Sequence, residues 1–204
     1  MCSTKNNKLT MSNKEQPRLN IKTDVYRVLR QVHPNTQMAE SGVNIINDKL
    51  HILAVKFINA INNYQQNGNK INTNNITNII TIILGEQLGK HSIKEASTAL
   101  EKYKKNTNTK GYGRVTIKEI CALALRPSIV NNIFVNSATN NSLTMPKFTK
   151  EILIMITAVF EYIIAELMEQ GGNETHNLKK NRVTAEHIDI AIKGDDELNN
   201  LFYN

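Results

Sequence analysis

"ILIMITAVFEYIIAELMEQGGNETHNLKKNRVTAEHIDIAI", Ile152 to Ile192, is the stretch whose reading decides the fold. Its left part repeats apolar residues at helical spacing, which predicts a long helix from about Lys150 to Gln170. Its right part, "AEHIDIAI", predicts a short helix that Thr184 can cap, with Glu186 in the first turn complementing the helix dipole. The joint between them crowds Lys179, Lys180 and Arg182 into a few residues, where the charges repel one another. A partner with dense negative charge would explain that crowding.

The same plan occurs to the left. "VYRVLRQV", starting near Asp24, places Val25, Val28, Leu29 and Val32 on one helical face, and "HPNT" stops it because the residue before Pro34 is driven out of the α region. A longer amphipathic run follows from about Glu40 to Tyr64, with Val43, Ile46, Leu50, Leu53, Phe57 and Ile61 in a stripe. "QQNGNKIN" breaks it, and Thr73 is placed to cap a helix ending at Leu84. After "GEQLG" a further helix runs through "KHSIKEASTALEKY". A helix after Pro127 then leads to the long one, with "TIKEICALAL" as a rival for that position.

Short, long, short therefore occurs twice, and no strand pattern stands out. Two short helices cannot cover the long helix of one unit, so an apolar stripe would remain in water. Two units in one chain can bury their stripes against each other. The expectation is an all-α protein with a polar, disordered tail at 1–21, a first unit at 22–103, a linker at 104–126 and a second unit at 127–204.

Composition narrows the function. The 204 residues carry a net charge of +7 with pI about 9.4, alongside 18 acids, a balance that suits nucleic acid or another anionic surface. Cys2 and Cys121 are too few for a disulfide framework or a metal site, which points to a reducing compartment. The first twenty residues lack the apolar core of a signal peptide, so secretion is not expected, and no run approaches a membrane span. "GEQLGKHS" lacks the glycine spacing and preceding strand of a phosphate-binding loop. His33, His51, His91, His176 and His187 form no ligand pair on a shared helix, and no catalytic Ser–His–acid or paired-carboxylate arrangement emerges. No enzyme, cofactor or small-molecule substrate is expected.

Several segments resemble core histones. "VYRVLRQVHPNT" and "LGKHSIKEASTALEKY" resemble the first and C-terminal helices of histone 2B. "VFEYIIAELMEQGGN", "KKNRVTAEHIDIAI" and "DDELNNL" resemble the central helix, second loop, last helix and acidic end of histone 2A. The whole resembles a 2B–2A histone doublet of the kind found in some large DNA viruses. The resemblance implies two histone folds in one chain, joined as an intrachain handshake pseudo-dimer in which each half's first loop lies beside the other's second.

It also implies a role: sequence-independent packaging of double-stranded DNA with histones 3 and 4 or a 3–4 doublet, in chromatin or, if viral, in the viral factory and virion. The nucleosome serves as the reference case for such backbone and minor-groove contact. By that resemblance Lys179, Lys180 and Arg182 occupy a DNA-contacting second loop, Lys147 falls at a first-loop cation, and Lys70 falls in the other second loop. That last loop is short and lacks the family's arginine. The chain ends at Asn204, so the family's docking extension toward histones 3 and 4 is expected to be missing.

A second surface follows from the helix geometry. Glu161, Glu166 and Glu169 fall within about 140° of one another on the long helix, opposite Phe160, Ile163 and Leu167. By resemblance, Asp195, Asp196, Glu197 and Glu95 match further positions of the family's acidic patch, and Glu86 sits one residue from another. Such a patch binds arginine-bearing peptides through charge-assisted contacts. The competing function is a histone-fold interaction module, such as a transcription-factor subunit, that touches DNA only incidentally.

Overall fold

A computed structural model describes residues 21–107 and 116–204. Residues 1–20 of the expected tail and the middle of the expected linker lie outside the described residues, while Ile21, expected at the end of the tail, is buried before α1. Nine helices and two very short strands are described: α1 Lys22–Val32, β1 Gln37–Met38, α2 Glu40–Gln66, α3 Thr73–Leu84, α4 Gln87–Thr107, α5 Ile117–Cys121, α6 Pro127–Asn140, α7 Lys150–Asn177, β2 Arg182–Val183, α8 Ala185–Gly194 and α9 Asp196–Tyr203. The protein is all-α, since the strands contribute only one two-residue parallel pairing, Gln37 with Arg182 and Met38 with Val183. No described helix is long and apolar enough to cross a membrane.

The two long helices run 27 and 28 residues, about 40 Å each at 1.5 Å per residue. Their apolar stripes are covered by helices distant in sequence: α1 and α4 lie on α7, while α6 and α8 lie on α2. Phe57 of α2, Phe134 of α6 and Phe160 of α7 meet at the centre, all fully buried, with ring centroids 5.5 to 6.3 Å apart. Burying a side chain of this size contributes about 1.5–3 kcal/mol. A polar residue at Phe160 would therefore loosen both long helices at once.

Several boundaries differ from the sequence expectation. Helix α7 continues through Gly171 and Gly172 to Asn177 instead of stopping at Gln170. A Cβ on Gly172 would collide with the His33 ring, so the glycine admits the close crossing of α1's end over α7. Asn72, not Thr73, caps α3, because its side chain accepts from the N–H groups of Asn74 and Asn75 at 2.9 Å. Helix α1 begins two residues before Asp24, and α4 starts at Gln87 and reaches Thr107.

The stretch expected to be a linker, 104–126, is partly folded. Thr116 and Glu119 form a reciprocal capping box that starts α5. Cys121, Leu123, Ala124 and Leu125 enter the core, because "ICALAL" has the apolar content a free linker would lack. The rival segment and the helix after Pro127 both exist.

Candidate nucleic-acid interface

The basic turn is built by the way α7 ends. Lys180 N–H donates to Thr175 O and Lys179 N–H to His176 O, each at 2.8 Å, which satisfies the last carbonyls of the helix. This closure puts Lys179 at φ 55°, a left-handed conformation usually left to glycine. A side chain there costs roughly 1–2 kcal/mol. The chain then joins the parallel pairing: Gln37 N–H donates to Asn181 O at 3.0 Å and Ala39 N–H to Val183 O at 2.8 Å. Val183 is buried and Arg182 exposed, so alternation along β2 aims the arginine outward.

Two histidines brace this joint. His33 Nε2 donates to the carbonyl of Glu169 at 3.0 Å, and His176 Nε2 lies 3.1 Å from Thr36 Oγ1. Their rings meet edge to face at 5.3 Å. Below them, the buried His187 Nδ1 accepts from Thr184 N–H at 3.3 Å and lies 2.8 Å from Thr175 Oγ1. The histidines thus fasten the turn that presents the cations. Sequence reading missed the His33–His176 contact, since the two are 143 positions apart and only the crossing at Gly172 brings them together.

Lys179, Lys180 and Arg182 are all exposed, and no ion pair among the described residues engages them. Lys147, in the loop before α7, and Lys70, in the loop before α3, are exposed as well but stand outside this turn. The C-terminal part of α2 meets the loop after α6, where Asn62 Nδ2 donates to Thr144 O at 2.8 Å. The arrangement offers three concentrated cations at one place and scattered ones elsewhere.

The acids divide into two kinds. Glu161 on α7 accepts the N–H of the buried Leu125 at 2.8 Å, and burial raises its pKa against the lowering effect of the backbone N–H groups of Leu125 and Ala124. Glu197 accepts from the N–H groups of Gln87 and Leu88 at 2.9 and 2.8 Å, capping α4 with charge as well as hydrogen bonds. Asp195 caps α9 through Leu198 N–H at 2.8 Å. These three candidate patch acids are committed to the fold, because each faces a helix start or a turn whose amides need acceptors.

Glu86, Glu95, Glu169 and Asp196 are exposed, and Glu166 is half-buried. They do share ground with the first group. Burial first, then a hydrogen bond and charge from Glu166, and then Glu197 and Glu169, raise the Tyr162 pKa, while Glu95 raises that of Glu161. Gly85 and Gln87, on either side of Glu86, both approach Glu197. No group of three or more metal-ligating side chains occurs among the described residues.

No family model matches the chain. A segment of 48 residues is 50% identical to the Z-type histone 2A of Scheffersomyces stipitis, covering 24% of this chain and 36% of that protein. The Z-type histone 2A of Saccharomyces cerevisiae matches with the same identity and coverage. A segment of 51 residues is 45% identical to a histone 2A of Candida glabrata, covering 25% of this chain and 39% of the other. The chain spans a little over a third of the length of these curated relatives. About a quarter of the chain is thus histone 2A-like in sequence, within an all-α fold.

Proposed function

We propose that this protein packages double-stranded DNA without reading its sequence, as a 2B–2A histone doublet whose halves, 22–103 and 127–204, pair within one chain. The observation that carries the reading is the turn after α7. There Lys179, Lys180 and Arg182 are exposed, without an ion pair among the described residues, and fixed by a hydrogen-bonded helix stop and a strand pairing. Cations held this way can neutralise neighbouring phosphates, and release of counterions offsets their mutual repulsion. The parallel pairing of β1 with β2 supports the handshake, since it joins a loop of one half to a loop of the other. Lys147 and Lys70 extend the DNA path at lower charge density.

On this reading the protein acts in chromatin with a 3–4 histone pair, and the acids on α4, α7 and α9 receive arginine-bearing peptides. It works by binding, not by catalysis. The test is reconstitution of the full chain with a 3–4 histone pair on several unrelated duplexes, followed by nuclease digestion. Equal protection of every duplex supports packaging. Protection confined to one sequence, or none at all, would return the protein to the interaction-module reading.

Intrachain pairing has its own readout. Two tethered halves meet at a local concentration on the order of millimolar. The melting temperature of the isolated chain should therefore not change across a wide protein concentration range. A melting temperature that climbs with concentration would place the pairing between chains.

A further inference from the structure

Asp24 stands in the first turn of α1 among apolar neighbours, and its carboxylate is fully buried. Two guanidinium groups share it. Arg27, one turn along the same helix, donates from Nη1 to Oδ1 at 2.8 Å. Arg126 donates from Nε to both oxygens, at 3.2 and 3.0 Å, and from Nη2 to Oδ2 at 2.7 Å. Arg126 is the N-cap of α6, in the extended conformation that a residue before proline is driven to, and this turns its side chain back toward α1. The fork therefore crosses from the first half to the residue that directly precedes and caps the first helix of the second.

We propose that Asp24 and Arg126 form a charge lock that selects which second half each first half accepts; the inference rests on the two-half reading above. A buried carboxylate is costly unless hydrogen-bonded and paired, and Arg27 alone leaves one oxygen without a donor. Both arginine side chains remain 44% exposed, so a mispaired Arg126 can turn to water, whereas Asp24 cannot. The penalty for a wrong partner thus falls on the acid. An apolar contact at this place would contribute packing without such discrimination, because it rejects few partners. The bidentate fork adds angular constraint, as only a planar guanidinium matches both carboxylate oxygens.

The test uses full-length chains carrying single charge reversals. Asp24→Arg alone sets a third cation against Arg27 and Arg126 inside the chain, and Arg126→Asp alone sets two acids together. Refolded as a mixture, the two variants can exchange halves reciprocally and regain one native and one reversed fork. The mixture should elute mainly at twice the 23.0 kDa monomer mass. Wild type, and one chain carrying both reversals, should remain monomeric. Either variant staying an undisturbed monomer in the mixture, or neither rescuing the other, would overturn the lock. The DNA reading is scored separately by the salt dependence of binding in the Lys179, Lys180 and Arg182 variant of the wild-type background. Each idea can thus fail without the other.

Discussion

The basic turn after α7 and the acidic face across α4, α7 and α9 use charge in opposite ways. Among the described residues, no ion pair or hydrogen bond occupies the side chains of Lys179, Lys180 and Arg182. Glu161, Asp195 and Glu197 instead accept backbone N–H groups at Leu125, Leu198, Gln87 and Leu88. The difference has a physical origin. Helix starts and turns expose amide donors, which anions can satisfy at home, whereas cations near a helix end whose carbonyls are already closed have no such use. Substitution should therefore separate the regions: the cations matter for what binds, the acids for both binding and stability.

The largest stability contrast is expected at Glu161 and Glu197. Replacing either with Ala leaves buried or capped N–H groups without acceptors, a loss of about 1–3 kcal/mol. Glu161→Gln keeps an acceptor for Leu125 and removes a carboxylate whose pKa burial has raised, so its stability should stay within about 0.5 kcal/mol of wild type at neutral pH. Lys179, Lys180 and Arg182 changed together to Ala should shift stability by no more than about 0.5 kcal/mol. Urea unfolding of the four variants checks the set. Equal losses at the acids and the cations would erase the contrast.

Lys179 sharpens it from the other side. Because its left-handed backbone carries a cost, Lys179→Gly should stabilise the fold by up to about 1 kcal/mol. The same change should weaken DNA binding, so stability and binding move in opposite directions. If the variant is less stable than wild type, the turn is not strained as described.

A smaller effect is expected at His51, on the α2–α6 contact. Its Nδ1 lies 2.7 Å from the buried Ser137 hydroxyl, and burial lowers its pKa from 6.5 against the opposing charge of Asp48. Below pH 6.5 the unfolded chain takes up the proton first, so stability falls as pH drops from there toward the lowered folded value. His51→Gln should flatten that part of the stability profile. An unchanged acid limb would mean that other groups set it.

Much of the fold was legible because it rests on local pattern. The stripe from Val43 to Ile61 and the apolar run in α7 announce their helices, and proline at 127 marks the start of α6. The basic turn was legible for the same reason, as its three cations are neighbours in the chain. Long-range pairing was not. Asp24 reads as an ordinary first-turn acid until Arg126 is brought to it across 102 positions, and Glu161 reads only as one acid of a peptide-binding surface until Leu125, after α5, donates to it. The helix stop expected before Gly171 and Gly172 failed because the glycines serve the approach of His33 and Ile188 instead.

The most direct measurement is the salt dependence of DNA binding by the wild-type chain and by the variant with Lys179, Lys180 and Arg182 changed to Ala. Each phosphate contact contributes about 0.9 to the slope of log affinity against log salt. Loss of all three cations should flatten that slope by roughly 2–3, for any duplex sequence, while the melting temperature stays put. An undiminished slope in a folded variant would show that the turn does not meet phosphate, and the packaging role would fall with it.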